Sequence, residues 1–473
     1  MENNFAGTEE RLAGEIKDVR KFKVLVYVVA LTAALAGLLF GLDIGVISGA
    51  LPFIAKQFNA STEAQEFVVS SLLAGAVLGT LISGLISRKY GRKNALLVSA
   101  VVFAIGALLS ALSVSTKMLI MVRIFLGVAV GMASFTAPLY LSEMAPRRIR
   151  GALISMYQLM ITIGILMAYM SDTFLSYGKH WRVMLGVLVI PSTFMFIGVL
   201  LLPKSPRWLV LAGKKERARK VLNKLRHIDE VEGELVEIEN TLENKQSGFQ
   251  LLVENKQFRK VLLLGIGLQA VQQFTGMNVI MYYAPKIFKL AGFTTTSQAM
   301  WGTVLVGLIN VLATFIAIAF VDRLGRKPIL FTGFVVMGLS MGTLGLMFNI
   351  GIKVSQTVQF AAIGALLVFI VGFAMSAGPI IWVICSEIYP LAGRDLGITT
   401  STATNWVCNT IVGATFLTLL NVMGPAHTFW LYGGLNLLFI LFLFLFVPET
   451  KGVSLEKIER NLLSGKRLVR IGR

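Results

Sequence analysis

The chain has 473 residues, 55% of them hydrophobic and 15% charged, with a mean hydropathy of +0.75 and a net charge of +19. Soluble chains carry about 25% charged residues, so these values exclude a water-soluble globular protein and indicate an integral membrane one. The apolar runs reach the roughly twenty residues that a membrane-crossing helix needs, and they lack the ten-residue alternation of an outer-membrane barrel.

The first segment, Met1 to Lys23, is polar and mixed in charge. No small-residue cleavage site follows the first apolar run, Val24 to Ser48, which therefore reads as a retained transmembrane helix and not as a signal peptide. The hydrophobic pattern predicts an all-α membrane protein with twelve transmembrane helices. Their expected spans are 24–49, 66–87, 95–115, 118–142, 152–172, 181–202, 262–284, 299–320, 328–349, 360–385, 397–421 and 427–447. Residues 203–260 differ in kind. They are rich in Lys, Arg and Glu, and 214-KKERARKVLNKLR-226 has helical periodicity. The expected organisation is an N-terminal segment 1–23, a six-helix half 24–202, linker helices 203–260, a second half 261–447 and a tail 448–473.

The positive charge falls in alternate loops. Arg88, Lys89, Arg92 and Lys93 form one group, and Arg147, Arg148 and Arg150 a second. The linker, Arg323 with Arg326 and Lys327, and the tail follow. Such alternation is the positive-inside pattern, placing both termini and the linker in the cytoplasm. It also argues against nucleic acid as the partner of the basic charge. Cys385 and Cys408 lie in apolar segments, as buried thiols and not as a disulfide, and no metal-ligand spacing occurs.

The two halves repeat each other. After helix two comes 84-GLISRKYGRK-93, and after helix eight 320-FVDRLGRK-327. Helix four ends in 138-PLYLSEMAPRRIRG-151 and helix ten in 379-PIIWVICSEIYPLAGR-394. In both, Ser-Glu is followed by Pro three residues after the Glu and Arg seven after it. The exits are 202-LPKSPRWL-209 and 447-VPETKG-452. Parallel six-helix repeats are one way to build a transporter.

These landmarks, taken together along the whole chain, resemble the sugar porter branch of the major facilitator superfamily, and within it the bacterial galactose–proton and arabinose–proton symporters. Two positions depart from the branch's pattern. Arg88 stands where the superfamily often has Asp, and Lys204 where many members have Glu. The resemblance implies a multi-pass protein of the bacterial inner membrane that works as a monomer. Its ligands would be a monosaccharide and a proton, with the lipid bilayer as its surroundings and no cofactor.

Ionisable groups inside membrane helices are functional candidates. Asp43 lies deep in helix one within 37-GLLFGLDIGVISG-49. Gly37, Gly41, Gly45 and Gly49 form one smooth packing face at four-residue spacing, and Asp43 points away from it. Arg123, near the start of helix four, is the natural counter-charge. The pair is either a packing device or a proton carrier; the resembled symporters have an Asp here in the second role, whereas facilitative carriers of the branch have no acid. Glu143 and Glu387, at helix ends beside basic motifs, read as salt bridges of a cytoplasmic gate, with Arg92, Arg150, Arg326 and Arg394 as the basic members. Lys286 and Lys289 are expected to be solvated at the outer end of helix seven.

The stretch 268-LQAVQQFTGMNVIMYYAP-285 puts amides where hydrocarbon is expected. Buried amides are costly unless satisfied. A neutral polyol suits them, because each amide both donates and accepts, and its C–H faces suit an aromatic plate. Gln272, Gln273 and Asn278 are the strongest candidates, with Gly276 permitting a break in the helix. Gln158, Asn310, Trp382, Asn405 and Trp406 add amides and tryptophans from helices five, eight, ten and eleven. Taken alone, Gln158 or Asn310 reads more often as interhelical glue than as a ligand, and Gln269 reads as structural. The resemblance carries binding roles onto all of these except Gln269, adds Phe40, Ile161, Ile165 and Gly378 to the pocket, and makes Tyr282 and Tyr283 an outer gate.

The reading is a proton-coupled hexose symporter of the galactose and glucose type, with Asp43 carrying the proton. A passive sugar uniporter, an arabinose or xylose symporter and a non-transporting sugar sensor are the alternatives. No nucleophile–base pair or phosphate-cradling loop suggests an enzyme.

Overall fold

The computed structural model describes residues 2–146, 150–226, 228–243, 248–352 and 354–472. Side chains are described throughout these except at 2–27, 150–152, 154–155, 228–229, 240–243, 248, 319–324, 391 and 456. Among the described residues the regular structure is entirely helical.

The first half contains α1 (Glu2–Phe58), α2 (Thr62–Tyr90), α3 (Arg92–Ala111), α4 (Thr116–Met144), α5 (Arg150–Ser176), α6 (Trp181–Gly186) and α7 (Val189–Leu201). Four short helices follow: α8 (Pro206–Leu211), α9 (Lys215–Leu225), α10 (Ile228–Glu243) and α11 (Gly248–Glu254). The second half contains α12 (Lys256–Phe274), α13 (Met277–Leu290), α14 (Thr296–Leu324), α15 (Arg326–Ile350), α16 (Gln356–Met375), α17 (Ala377–Ile388) and α18 (Arg394–Phe446). A short α19 (Leu455–Leu463) lies in the tail.

Polar caps start the long helices at the membrane boundary. Ser61, Ser115 and Ser355 each accept a backbone N–H at 3.2 Å, for α2, α4 and α16. Thr295 and Gln298 form a reciprocal capping box for α14. Gly91 (φ 92°, ψ 157°) divides α2 from α3, and Gly325 (φ 94°, ψ 159°) divides α14 from α15 in almost the same conformation. The repeat read in the sequence is thus repeated in backbone angles that only glycine adopts readily.

Ten helical stretches among the described residues are long and apolar enough to cross a membrane. One of them, α18, has 53 residues, roughly 80 Å of helix against a hydrocarbon core of about 30 Å. It bends at Gly424 (φ 77°) before Pro425 and accommodates the expected helices eleven and twelve. Helix seven, expected over 262–284 with a break permitted at Gly276, is two helices: α12 stops at Phe274 and α13 starts at Met277. Helices six and ten are likewise interrupted, between α6 and α7 and at Ser376 between α16 and α17. The fold is consistent with the twelve expected crossings. Leu85, Leu201 and Val422 are each more than 70% exposed on its outside, which in lipid leaves no apolar surface in water.

Within the halves, α1 packs chiefly on α5, α2 on α4, and α15 on α18. The α1–α5 seam is set by glycine: a Cβ on Gly37, Gly41 or Gly45 would strike Tyr157, Ile161 or Ala168 of α5. The halves meet through α2 with α18, α5 with α14, and α1 with α13. The linker has a small core of its own, with Trp208, Leu222, Val231 and Leu235. Arg226 fastens it to the first half. Its Nη1 and Nη2 donate to Met144 O and Ala145 O at 3.0 Å, and it pairs with Glu234 at 2.6 Å. The last carbonyls of α4, which have no partner within the helix, are satisfied there.

Candidate functional site

At the end of the bundle carrying the Gly-Arg-Lys loops, each half has an ion pair built from its repeat. Arg92 Nη2 lies 2.9 Å from Glu143 Oε1, and Ser205 Oγ donates to the other carboxylate oxygen. Arg326 Nη2 lies 3.0 Å from Glu387 Oε1, whose partner oxygen accepts from Thr450. Arg394 Nη2 approaches Tyr389 O at 3.4 Å, and the Arg150 side chain lies outside the described residues. Glu449 caps α15, accepting from Arg326 N at 3.1 Å and Lys327 N at 2.9 Å. Burial works to raise the Glu449 pKa, but the backbone N–H groups of Lys451, Lys327, Arg326 and Thr450 outweigh it and hold the carboxyl below its ordinary value.

In the middle of the bundle, Gly276 (φ 94°, ψ 6°) breaks helix seven against the Tyr432 ring. The break frees backbone groups, and Asn436 Nδ2 satisfies Thr275 O at 3.0 Å. Just before it the amides form one connected chain. Asn405 Nδ2 donates to Gln269 Oε1 and Gln272 Oε1, both at 2.7 Å. Gln272 Nε2 donates to Ala377 O at 2.8 Å and Gly378 O at 3.0 Å, at the start of α17 where the interrupted helix ten resumes. Gln273 Nε2 reaches Gln272 Oε1, and Asn278 Nδ2 reaches Gln273 Oε1. Helices α12, α13, α17 and α18 are thereby joined by neutral groups alone.

Around this chain, Trp406 is buried with its ring 5.2 Å from that of Phe40 on α1. Ile161, Ile165 and Asn310 are buried, Gln158 is half-buried, and Trp382 is 36% exposed. Gln269, read from sequence as structural, is part of the amide chain. Position alone could not reveal this, because it depends on Asn405 arriving from α18.

Asp43 points away from the glycine seam, towards α4. Its Oδ1 lies 3.4 Å from Arg123 Nη1, and each residue is 1% exposed. Arg123 Nε donates to Val68 O at 2.8 Å, which fixes the guanidinium on α2. Asp43 Oδ2 has no hydrogen-bond partner among the described residues. Phe40, one turn earlier on α1, connects this pair to the Trp406 wall of the amide site.

The opposite end of the bundle is closed. Tyr282 exchanges hydrogen bonds with Asn409, and Tyr283 OH donates to Gly413 O at 2.7 Å. Across the halves, Tyr169 OH donates to Met281 O at 2.7 Å, and Tyr177 meets Ser297 at 3.1 Å. Glu66 of α2, 3% exposed, accepts from both the N–H and the hydroxyl of Thr418 at 2.7 Å. Lys286, expected to be solvated, is instead half-buried, because α13 continues past it to Leu290. With Ser48, Pro52, Gln65 and Lys289 it lines a cavity of about 320 Å³ at this end. Glu66 and Asp172, both acids in apolar helices, were not singled out in the sequence. The rule that drew attention to Asp43 applies to them too, but they stand at the ends of expected spans, where acids are ordinarily solvated.

The chain belongs to the sugar transporter family. Residues 29–462 match the family model described as "Sugar (and other) transporter". The galactose-proton symporter of Escherichia coli K12 is 60% identical over 457 residues, 96% of this chain and 98% of that one. The arabinose-proton symporter of the same strain is 52% identical over 461 residues, 97% of each. Among solved structures, the xylose transporter XylE from E. coli in a partially occluded inward open conformation superposes with a TM-score of 0.80 at 31% identity. That match covers 91% of this chain and all of the other. The family is one of transporters and not of enzymes.

Proposed function

We propose that the protein is a proton-coupled monosaccharide symporter working by alternating access. Galactose is the first substrate to test, since a relative of that name shares 60% of its residues over nearly the whole chain. The observation that carries the reading is the buried Asp43–Arg123 pair one helical turn from an amide and tryptophan site. The sugar hydroxyls bond Gln272, Gln273, Asn278 and Asn405, with Gln158 and Asn310 facing them from α5 and α14. Trp382, Trp406 and Phe40 cover the ring, and Ile161, Ile165 and Gly378 shape its edges.

The proton acts at Asp43. Protonation cancels the charge that holds Arg123 Nη1, while Arg123 Nε stays on Val68 O. The pair loosens, and α1 gains freedom against α4 at the turn that carries Phe40. By linkage, sugar binding strengthens proton binding by the factor that protonation strengthens sugar binding. One charge crossing down a potential releases about 2.3 kcal/mol per 100 mV, enough for roughly fifty-fold accumulation of a neutral solute.

The two halves, 24–202 and 261–447, rock about this site, with residues 203–260 and the tail on the basic face. That face is cytoplasmic and the membrane is the bacterial inner membrane, in keeping with the alternation of Lys and Arg. The working unit is one chain. Tyr282 and Tyr283 gate the outer end. Arg92 with Glu143 and Arg326 with Glu387 belong to the inner one, together with Arg150 and Arg394.

The test is sugar-induced alkalinisation in weakly buffered proteoliposomes, for the wild type and Asp43→Asn. Galactose is expected to alkalinise the outside for the wild type alone. Labelled sugar that equilibrates without any pH change would make the protein a uniporter and Asp43 a packing residue.

A further inference from the structure

A second acid lies buried in the first half, outside the proposed route of the transported proton. Asp172, near the end of α5, is 1% exposed, and neither carboxyl oxygen has a hydrogen-bond partner among the described residues. It lies on Gly49 of α1, the last of the seam glycines, so closely that a Cβ there would overlap the carboxyl.

The groups packed around it offer no counter-charge. On α1 the stretch from Gly45 to Phe53 has no ionisable side chain, and Ser48 Oγ is itself buried without a hydrogen-bond partner among the described residues. On α5 the nearest titratable group is Tyr169, whose hydroxyl is given to Met281 O. From α13, Tyr282 is bonded to Asn409, and Lys286 lines the outer cavity beside Ser48. Arg123 is engaged by Asp43 and Val68 O, and Arg182 of α6 by Gln57 and Ser113 O. Lys179 and His180 are exposed in the turn after α5. An ionised carboxylate here would be buried with no cation beside it and only the Gly49 backbone N–H close by, short of a full hydrogen bond, and the neutral acid is the form compatible with such burial.

The seal around Asp172 is partly made by the other half. Tyr169, three residues before it, reaches α13. Tyr177, five residues after it, meets Ser297 and Trp301 of α14. Ser48, next to Gly49, faces α13 across the cavity. When the halves part at this end, these contacts are lost and water reaches the turn that holds the carboxyl.

We propose that Asp172 is a proton-linked switch for the end opposite the basic face, binding a proton as that end closes and releasing it as that end opens. The proton enters and leaves from one side, so the proton-to-sugar ratio is unchanged. Closure, however, becomes dependent on pH: acid on that side favours the closed conformation. The switch rests on the alternating-access reading; the protonation of Asp172 does not.

Two measurements separate these parts. Infrared difference spectroscopy of the purified protein across a pH titration is expected to show a protonated-carboxyl C=O band that Asp172→Asn removes and Asp43→Asn retains. Its absence, or its survival in Asp172→Asn, overturns the proposal whatever the protein transports. In proteoliposomes, Ser48→Cys labelling by an impermeant maleimide, divided at each pH by the rate for the same chain denatured to remove the thiolate's own pH dependence, is expected to quicken with external pH, by up to about tenfold per unit for one linked proton. Asp172→Asn, and Asp172→Ser should the first fail to assemble, is expected to give a low corrected rate at every pH, with an unchanged proton-to-sugar ratio. A pH dependence of this corrected rate that persists in both variants, or an altered ratio, overturns the switch. If the band is present and no sugar moves, the symport reading fails and the protonation stands.

Discussion

Glu66→Ala should open the end of the bundle that is closed in this structure. The carboxylate of Glu66 sits on α2, and both of its hydrogen-bond donors are on Thr418 of α18, so the contact exists only while the halves meet there. Hydrogen bonds to a buried charged group are each worth about 1.5–3 kcal/mol net. The Thr418 N–H also belongs to its own helix, so the lower figure for the pair together is the safer one. About 1.5–3 kcal/mol corresponds to roughly a ten- to 150-fold shift between conformations. Ser48 reports it, being 1% exposed in the closed form and lining the cavity that opening would widen. Ser48→Cys is to be labelled with an impermeant maleimide at fixed pH; Cys385 and Cys408 are buried, and the chain without Ser48→Cys supplies the background. Labelling should quicken by the stated factor in Glu66→Ala and by less in Glu66→Gln, which keeps one acceptor. An unchanged rate in Glu66→Ala would mean that the clasp carries no energy, and the reasoning fails.

Three further outcomes are expected. Gly41→Val should prevent assembly, because a Cβ there overlaps the Ile161 carbonyl, a backbone atom that cannot move aside; Gly434→Ala, with nothing within 4 Å, should behave as wild type in a thermal-shift assay. Gln272→Ala should weaken sugar binding by roughly tenfold or more, since it removes an acceptor from buried Asn405 and the partner of two α17 carbonyls; calorimetric titration with galactose checks it. Glu449 has a carboxyl held below its ordinary value in the folded protein, so its contribution is present above the unfolded value and disappears as pH falls through the folded one. Melting temperature should therefore drop below about pH 4, and Glu449→Gln should lose that component of the drop while starting from a lower value at neutral pH.

Periodicity and length made the crossings legible, because a bilayer demands long apolar helices and little else. The interruptions were legible only where glycine announced them. Gly276 signalled the break in helix seven, and the Gly424–Pro425 step explains how one helical backbone turns between two spans. The pause at Ser376 had no such marker, since its backbone (φ −129°, ψ −90°) is held by packing against Gly333. Side-chain partners across the halves were the least visible. Gln269 resembles a packing amide until Asn405 is beside it, and Glu66 resembles a solvated end residue until Thr418 covers it. Lys286 was misplaced because α13 runs further than apolarity alone suggested. Gln269 and Glu66 each depend on a residue more than a hundred positions away, and local pattern carries no information at that range.

The amide chain bears on how a carrier of this design can work at all. A buried charged site would be stable with its ligand and costly without it, and an empty carrier of that kind would stall. Here Asn405, Gln272, Gln273 and Asn278 bond one another, and Gln272 also bonds the α17 carbonyls. Without a sugar, no amide in this chain need be left unpaired. On the proposed reading, the hydroxyls of a bound sugar replace amide partners one for one, and each exchange is worth only about 0.5–1.5 kcal/mol net. Affinity is then modest, and discrimination comes from direction, because an epimer whose hydroxyl points away leaves a buried amide unpaired at a cost of about 1–3 kcal/mol. Loaded and empty forms of such a pocket lie close in energy. On the proposed reading, that near-balance lets protonation of Asp43, and not sugar affinity itself, set the direction of net movement.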